Sequence, residues 1–280
     1  MTEIIAEIGW NHMGNMSLAK NMIYLAAHAG ADFAKFQTWS TETLTPGPWD
    51  NDGRREIYEK AQLSWEQHIE LKEHCDLNNI KFLTSVFRAE DLSPLRELTD
   101  VIKIPSHEAR NYSLISKAIQ MYEHVILSVG ATTNDELAVI NSIYYSTKRP
   151  SKLTIMHCVS SYPTPKDKAD LARIDDLKAQ FNKYVQIGYS GHVMGIWDAI
   201  VAITMNAAIV EKHFTSDNTL PGRDNQFAIT TEQLHQICEY RDLYPWLTIP
   251  RQDLNTSPEE NEIRSTYAGR WSHSNSALQK

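Results

Sequence analysis

Short runs of β-branched, aromatic and aliphatic residues recur along the chain at 4–9, 33–38, 81–87, 101–105, 124–129, 152–159, 185–189 and 208–214. Most hold few polar positions until their last residues, the pattern of strands buried on both faces in a parallel sheet. Most of the intervals between them carry helix signals. Ser17 stands where an N-cap is wanted before Leu18, Met22, Leu25, Ala26 and Ala29, with Gly30 where that helix would end. Ser64-x-x-Gln67, Thr133-x-x-Glu136 and Thr230-x-x-Gln233 read as capping boxes ahead of apolar-periodic stretches. Eight strand–helix alternations predict an α/β fold, a single (β/α)8 TIM barrel over residues 1–245 followed by an extension over 246–280. A doubly wound open sheet is the alternative.

Two connections are longer than such folds usually need, residues 40–63 with Pro46-Gly47-Pro48 and Asn51-Asp52-Gly53, and residues 215–228 with Pro221-Gly222-Arg223-Asp224. Both follow a strand, so both would lie on the catalytic face of a barrel as lids or as tolerated insertions. A length of 280 residues suits one large barrel. The net charge of −8 excludes the whole molecule as a nucleic-acid or acidic-membrane binder, so an anionic substrate would have to meet locally placed cations. Cys75, Cys158 and Cys238 are odd in number and widely spaced, which suits a reducing, cytoplasmic setting better than a disulfide framework. Neither a leader-like N-terminus nor a membrane-length apolar run is legible, so a soluble, unexported chain is expected.

In a barrel the chemistry collects at the C-terminal strand ends, which here carry Glu7, Asn11 and His12, Lys35 and Gln37, Thr84 and Ser85, Lys103 and Ser106, Ser128, His157 to Tyr162, Ser190 to His192, and Glu211 to His213. A lysine inside an apolar strand must snorkel or meet an anion, because an unpaired buried ammonium is costly. Lys35 and Lys103, with serines from neighbouring strands, therefore form a candidate pocket for phosphate and carboxylate; each lysine taken alone also reads as a strand-end salt bridge. His192 and His213 fall on adjacent strand ends, where two imidazoles could share a divalent ion or serve as hydrogen-bonded core residues. Glu7 and Glu211 are either paired structural acids or site acids, bases or ligands. Tyr162, ahead of Pro163-Thr164-Pro165, could orient a substrate or stabilise a turn. Ser160 has no neighbouring base and does not read as a nucleophile.

These strand ends resemble the sialic acid synthase family. The matching segments are AEIGWNHMGN (6–15), AGADFAKFQTW (29–39), IKIPSHEARN (102–111), ILSVGATT (126–133), HCVSSYPTP (157–165), GYSGH (188–192) and IVEKHFTSDNTLPGRDNQF (209–227). The resemblance implies a (β/α)8 barrel that condenses phosphoenolpyruvate with an open-chain amino-sugar aldehyde to give a nonulosonic acid, releasing phosphate by C–O cleavage. It implies a divalent metal, Mn²⁺ or Mg²⁺, on His192 and His213. It implies phosphoenolpyruvate on Lys35, Thr84, Lys103, Ser106, Ser128, Ser160 and Ser190, with Glu7, Gln37, Tyr162, Glu211 and Asp224 facing the sugar or the reacting carbons. Glu7 or Glu211 would handle a proton.

Three positions depart from the family pattern: Ser160 stands where some members have Asn, Asn225 where His is usual, and Gly191 where Asp is common. The family also carries a C-terminal antifreeze-like domain that reaches the partner subunit's sugar, and the residues after Trp246 are too few for it. The expectation is a homodimer whose acceptor is read by the 40–63 loop, with Trp39, Trp49 and Gly53, or by the tail with Arg264, Tyr267, Arg270 and Trp271. A metal-dependent aldolase of the class II type and a catalytically degenerate sugar-binding barrel are the competing readings.

Overall fold

The computed structural model describes residues 1–147, 152–250, 256–267 and 269–271. Among them the strands are β1 (Glu3–Glu7), β2 (Phe33–Thr38), β3 (Lys81–Val86), β4 (Val101–Ile104), β5 (His124–Ser128), β6 (Lys152–His157), β7 (Val185–Gly191) and β8 (Ile209–His213). The helices are α1 (Met16–His28), α2 (Arg54–Ala61), α3 (Trp65–Leu77), α4 (Leu92–Leu95), α5 (Tyr112–Met121), α6 (Asn134–Ser146), α7 (Arg173–Gln180), α8 (Trp197–Thr204), α9 (Thr231–Leu247) and α10 (Pro258–Thr266). The strands run parallel and close in sequence order, β1 pairing with both β2 and β8. The expected (β/α)8 barrel is the fold, and the open-sheet alternative is not. The chain divides into two compact units, Met1–Tyr244, which holds the barrel, and Pro245–Lys280.

Local chemistry accounts for the element boundaries. The capping boxes at Ser64 and Thr133 form as read, and Thr230 and Gln233 exchange the same reciprocal bonds. For α1 the cap is Asn15, whose side chain accepts from the Leu18 amide, so Ser17 falls inside the first turn. Both residues are good caps by type, and the choice is made by the turn that carries the chain out of β1. The helix after β3 shrinks to the four residues of α4, while the 40–63 connection gains the extra helix α2.

Two apolar layers follow from the strand period of two. One set of side chains, including Ile4, Ala34, Phe36, Phe82, Val125 and Val210, packs outward against helix residues such as Met22, Ile23 and Ala26 of α1. The other set, Ile5, Phe33, Leu83, Ile126, Met156 and Ile209, fills the barrel and is buried completely or nearly so. This plug is a floor: the next inward residue along each strand is one step nearer the C-terminal mouth, and there the side chains become polar. No helix among the described residues is long and apolar enough to cross a membrane.

Candidate active site

Two residues beyond the floor, the inward positions are Glu7, Lys35, Ser85, Lys103, Ser128, Cys158, Ser190 and Glu211, all lining one cavity of about 960 Å³ that opens at the C-terminal mouth. The register fixes the neighbours: Glu7 lies beside Lys35, Ser85 beside Lys103, Ser190 beside Glu211, and His213 beside Glu7.

Two lysines and two glutamates form a closed charge cluster. Lys35 Nζ lies 2.8 Å from Glu7 Oε2 and 3.7 Å from Glu211 Oε1, and it donates to Ser85 Oγ at 2.9 Å. Lys103 Nζ reaches both oxygens of Glu211 at 3.1 and 3.2 Å, and Ser190 Oγ donates to the same carboxylate. Burial alone would raise the Glu211 pKa; Lys103 and Lys35 more than offset it and hold the carboxyl at about 2. Burial likewise pulls against charge on both lysines. Lys35, beside Glu211 and Glu7, still ends above its usual value, whereas Lys103 ends below. An ammonium has three donors. Lys35 donates to a hydroxyl and sits in ion-pair range of two carboxylates, while Lys103 has one carboxylate partner and faces the cavity with donors to spare. Ser128 Oγ is buried there without a hydrogen-bond partner.

One inward position nearer the mouth, the His192 and His213 rings lie 5.3 Å apart, centroid to centroid. His192 Nδ1 donates to the Val159 carbonyl at 2.9 Å, which leaves Nε2 with the lone pair, and burial lowers this ring's pKa to about 3. Asp224, from the 215–228 loop, brings Oδ2 within 3.3 Å of His213 Nδ1. Burial alone would lower His213; Asp224 together with Glu7 outweighs it and holds the ring above its usual value. Tyr162 stacks at a tilt 4.2 Å from His192, and Gln37 Nε2 donates to Glu7 Oε1. Among the described residues no cluster of three or more His, Cys, Asp or Glu could hold an ion by itself.

Ser106 and Ser160 share a hydroxyl–hydroxyl bond of 3.0 Å at a second cavity of about 270 Å³ on the β4–β6 side, which also borders Tyr162 and Gly130. A side chain at Gly130 would collide with Ser160 Oγ and Cys158 Sγ, so glycine is what lets the β5 and β6 ends approach. Ser106 and Tyr162 border both cavities.

Thr84 is the one expected site residue that the structure turns away. Its hydroxyl is paired with that of Thr38 at 2.8 Å on the outer side of the sheet, and Ser85 takes the inward place. Every position of β3 after Lys81 is buried, so its sequence carried no signal for which face each side chain would take. Asn225, one of the departures, is a fully buried tie: it accepts from Thr215 and donates to the carbonyls of Asn11 and Pro221, pinning the 215–228 loop to the turn after β1. Sequence reading named Trp39 and Trp49 of the 40–63 loop but missed Trp10 and Tyr58, which join them in the cavity's aromatic wall. Trp10 packs against Trp39 and Tyr58, and Trp49, Arg54 and Arg223 complete the wall from the two long loops.

Ionisable side chains gathered on a rigid apolar floor at the C-terminal mouth of a closed parallel barrel define an enzyme-type (β/α)8 protein. The chain belongs to the NeuB family, whose model matches residues 22–243. It is 32% identical over 250 residues to the N,N'-diacetyllegionaminic acid synthase of Campylobacter jejuni, covering 85% of this chain and 74% of that one. It is 30% identical over 282 residues to a pseudaminic acid synthase of the same species, covering 95% and 81%. A solved structure, the N-acetylneuraminic acid synthetase of Leptospira borgpetersenii in complex with citrate, superposes with a TM-score of 0.82 at 31% identity, covering 94% of this chain and 90% of that one.

Proposed function

We propose that this protein is a nonulosonic acid synthase, which joins phosphoenolpyruvate to an open-chain sugar aldehyde, forms a C–C bond and releases inorganic phosphate. The observation that carries the reading is the buried Glu7–Lys35–Glu211–Lys103 cluster directly beneath the facing His192 and His213. Phosphoenolpyruvate takes the deep end. Its carboxylate and phosphate meet the free donors of Lys103, the unpartnered Ser128 hydroxyl, Ser85, Ser190, and the Ser106–Ser160 pair at the side cavity. The sugar takes the mouth, between Gln37, Tyr162 and Asp224 and the aromatic wall of the 40–63 loop.

The donor set fits a divalent cation. His192 is neutral and anchored through Nδ1, and His213 has a carboxylate behind Nδ1, the usual support for ligating imidazoles. His192 and His213 would hold Mn²⁺ or Mg²⁺, with oxygens of water and substrate as the other ligands. When bound, the ion supplies Lewis acidity at the aldehyde oxygen.

In the reaction C3 of the enolpyruvate adds to the aldehyde carbon, water adds to the resulting cationic C2, and phosphate departs from C2 with its bridging oxygen. Lys103 and Lys35 offset the charge that gathers on the departing phosphate. Glu7, within reach of Gln37 and Lys35, takes a proton from the attacking water, and Glu211 keeps both ammonium groups in place. We assign the protein to the cytoplasm, without nucleic-acid or acidic-membrane partners, on its acidic charge and free buried cysteines; the homodimer is carried over from the family resemblance.

The test is to mix phosphoenolpyruvate, Mn²⁺ and a panel of acylated and unacylated hexosamines, and to assay phosphate and a thiobarbiturate-reactive product. Sugar-dependent phosphate with such a product is expected. No phosphate from that mixture, together with cleavage of a supplied 3-deoxy-2-keto sugar acid to pyruvate and the free sugar, would replace the reading with an aldolase.

A further inference from the structure

Gly191 and Lys212 face each other across the β7–β8 ladder on the side of the sheet away from the cavity. There is no room for a side chain at position 191: a Cβ would lie 2.3 Å from Asp198 Oδ2 and 2.6 Å from Tyr189 Cε1. The carboxylate that fills this space comes instead from the start of α8. It receives Lys212 Nζ on both oxygens, at 3.0 and 2.9 Å, and the Tyr189 hydroxyl at 3.0 Å. The same ammonium donates to the Val193 carbonyl at 2.6 Å. Lys212 and Asp198 are 2% and 5% exposed, so the pair is closed to water.

The sequence neighbours of these atoms give the cluster its meaning. Lys212 precedes His213, and Val193 follows His192. A single buried ammonium on β8 therefore grips the backbone next to His192 and is itself fixed by a carboxylate on α8. Both histidines project to the other side of the ladder. The distance and tilt between their rings depend on how β7 and β8 are held at this point, and on the side away from the cavity Lys212 ties β8 to the chain just past His192.

We infer that Asp198 and Lys212 are positioning residues for His192 and His213, with the carboxylate delivered from α8 because Gly191 leaves its place vacant. The inference rests on the proposal that these histidines hold a divalent ion. Neither Asp198 nor Lys212 reaches the cavity, so neither touches substrate or metal.

The experiment measures Mn²⁺ binding to the full chain by equilibrium dialysis, alongside thermal unfolding. His192→Ala and His213→Ala test the underlying reading; wild-type affinity in both would overturn that reading and this inference with it. If both lose the ion, Asp198→Ala and Lys212→Met are expected to weaken Mn²⁺ about tenfold or more while the chain stays folded, the range typical for groups that orient metal ligands. A double variant, Gly191→Asp with Asp198→Ala, returns a carboxylate to the same space from β7 and is expected to restore affinity over Asp198→Ala alone. Should Asp198→Ala not fold, Asp198→Asn keeps the shape, removes the charge and carries the same expectation. Wild-type Mn²⁺ affinity in the folded Asp198 and Lys212 variants, or no recovery in a folded double variant, would overturn the inference while leaving the histidine assignment standing. A role in stability alone would lower the unfolding temperature without changing affinity.

Discussion

Lys103 and Glu211 meet across the barrel axis: they stand on β4 and β8, opposite strands of the closed ring, and their charged ends lie 3.1 and 3.2 Å apart. This pair carries the charge cluster across the interior at this level, above an apolar floor, while Lys35 joins Glu7 and Glu211 along the β1–β2 side. Removing one partner from an isolated buried pair costs about 3–5 kcal/mol; here Lys35 and Ser190 still face Glu211 after Lys103 is lost, so the cost falls below that range. Lys103→Met is therefore expected to lower the unfolding midpoint and to raise KM for phosphoenolpyruvate much more than KM for the sugar. Adding Glu211→Gln to it should recover part of the stability but none of the activity. Denaturant titration with steady-state kinetics on the three variants checks this, and an unchanged KM for phosphoenolpyruvate in folded Lys103→Met would make Lys103 a structural cation.

Ser85 and Thr84 are adjacent in sequence but belong to opposite sides of the sheet. Ser85→Ala removes a partner of Lys35 in the cavity and is expected to weaken phosphoenolpyruvate binding. Thr84→Val removes one buried hydroxyl contact with Thr38, a loss of about 1 kcal/mol in stability, with kinetics unchanged. The reverse pattern would mean that the phosphate side of the site lies elsewhere.

His192→Ala or His213→Ala is expected to abolish Mn²⁺-dependent turnover, a loss of several kcal/mol or roughly 10³-fold and more in kcat/KM. Direct binding of the ion should fall in parallel. Turnover that survives in both variants would detach the ion from this pair.

Acid should destabilise the fold through buried histidines outside the charge cluster, His12 and His124 prominent among them. Burial lowers His12 and His124 from 6.5 to about 4. Because the unfolded chain binds these protons first, the stabilising effect of keeping both rings neutral is complete above pH 6.5 and is lost as pH falls through that window toward 4. Each ring accounts for at most about 3 kcal/mol. Urea midpoints between pH 7.5 and 4.5 should fall, and His124→Gln should flatten part of the slope; a flat profile for the parent protein would contradict the burial of both rings.

Trp39 lies at the mouth, with its indole donating to the Tyr58 carbonyl and its ring edge-on to Trp10. Trp39→Ala is expected to raise KM for the sugar and to change the preference between acylated and unacylated acceptors, leaving KM for phosphoenolpyruvate nearly unchanged. Initial rates across the hexosamine panel read this out. Equal effects on both substrates would show that the 40–63 loop closes the whole site instead of reading the acceptor.

The sequence by itself determined the architecture. Eight buried runs separated by capped helices allow few folds other than a barrel, because parallel strands need crossovers and both faces covered. It also placed Lys35, Lys103, Glu7, Glu211, His192 and His213 at strand ends, since a charge inside an apolar run stands out whatever its partner. What it could not decide was who meets whom. The Lys103–Glu211 contact joins residues 108 positions apart, and it exists only because closure sets β4 opposite β8. The inward choice of Ser85 over Thr84 was equally hidden: a strand buried on both faces has no polar alternation to orient it, and only register against β2 and β4 fixes its side chains. Gly191 reads in the sequence as a missing carboxylate. In the fold α8 returns one to the same place, because helix packing brings Asp198 into the space that glycine leaves.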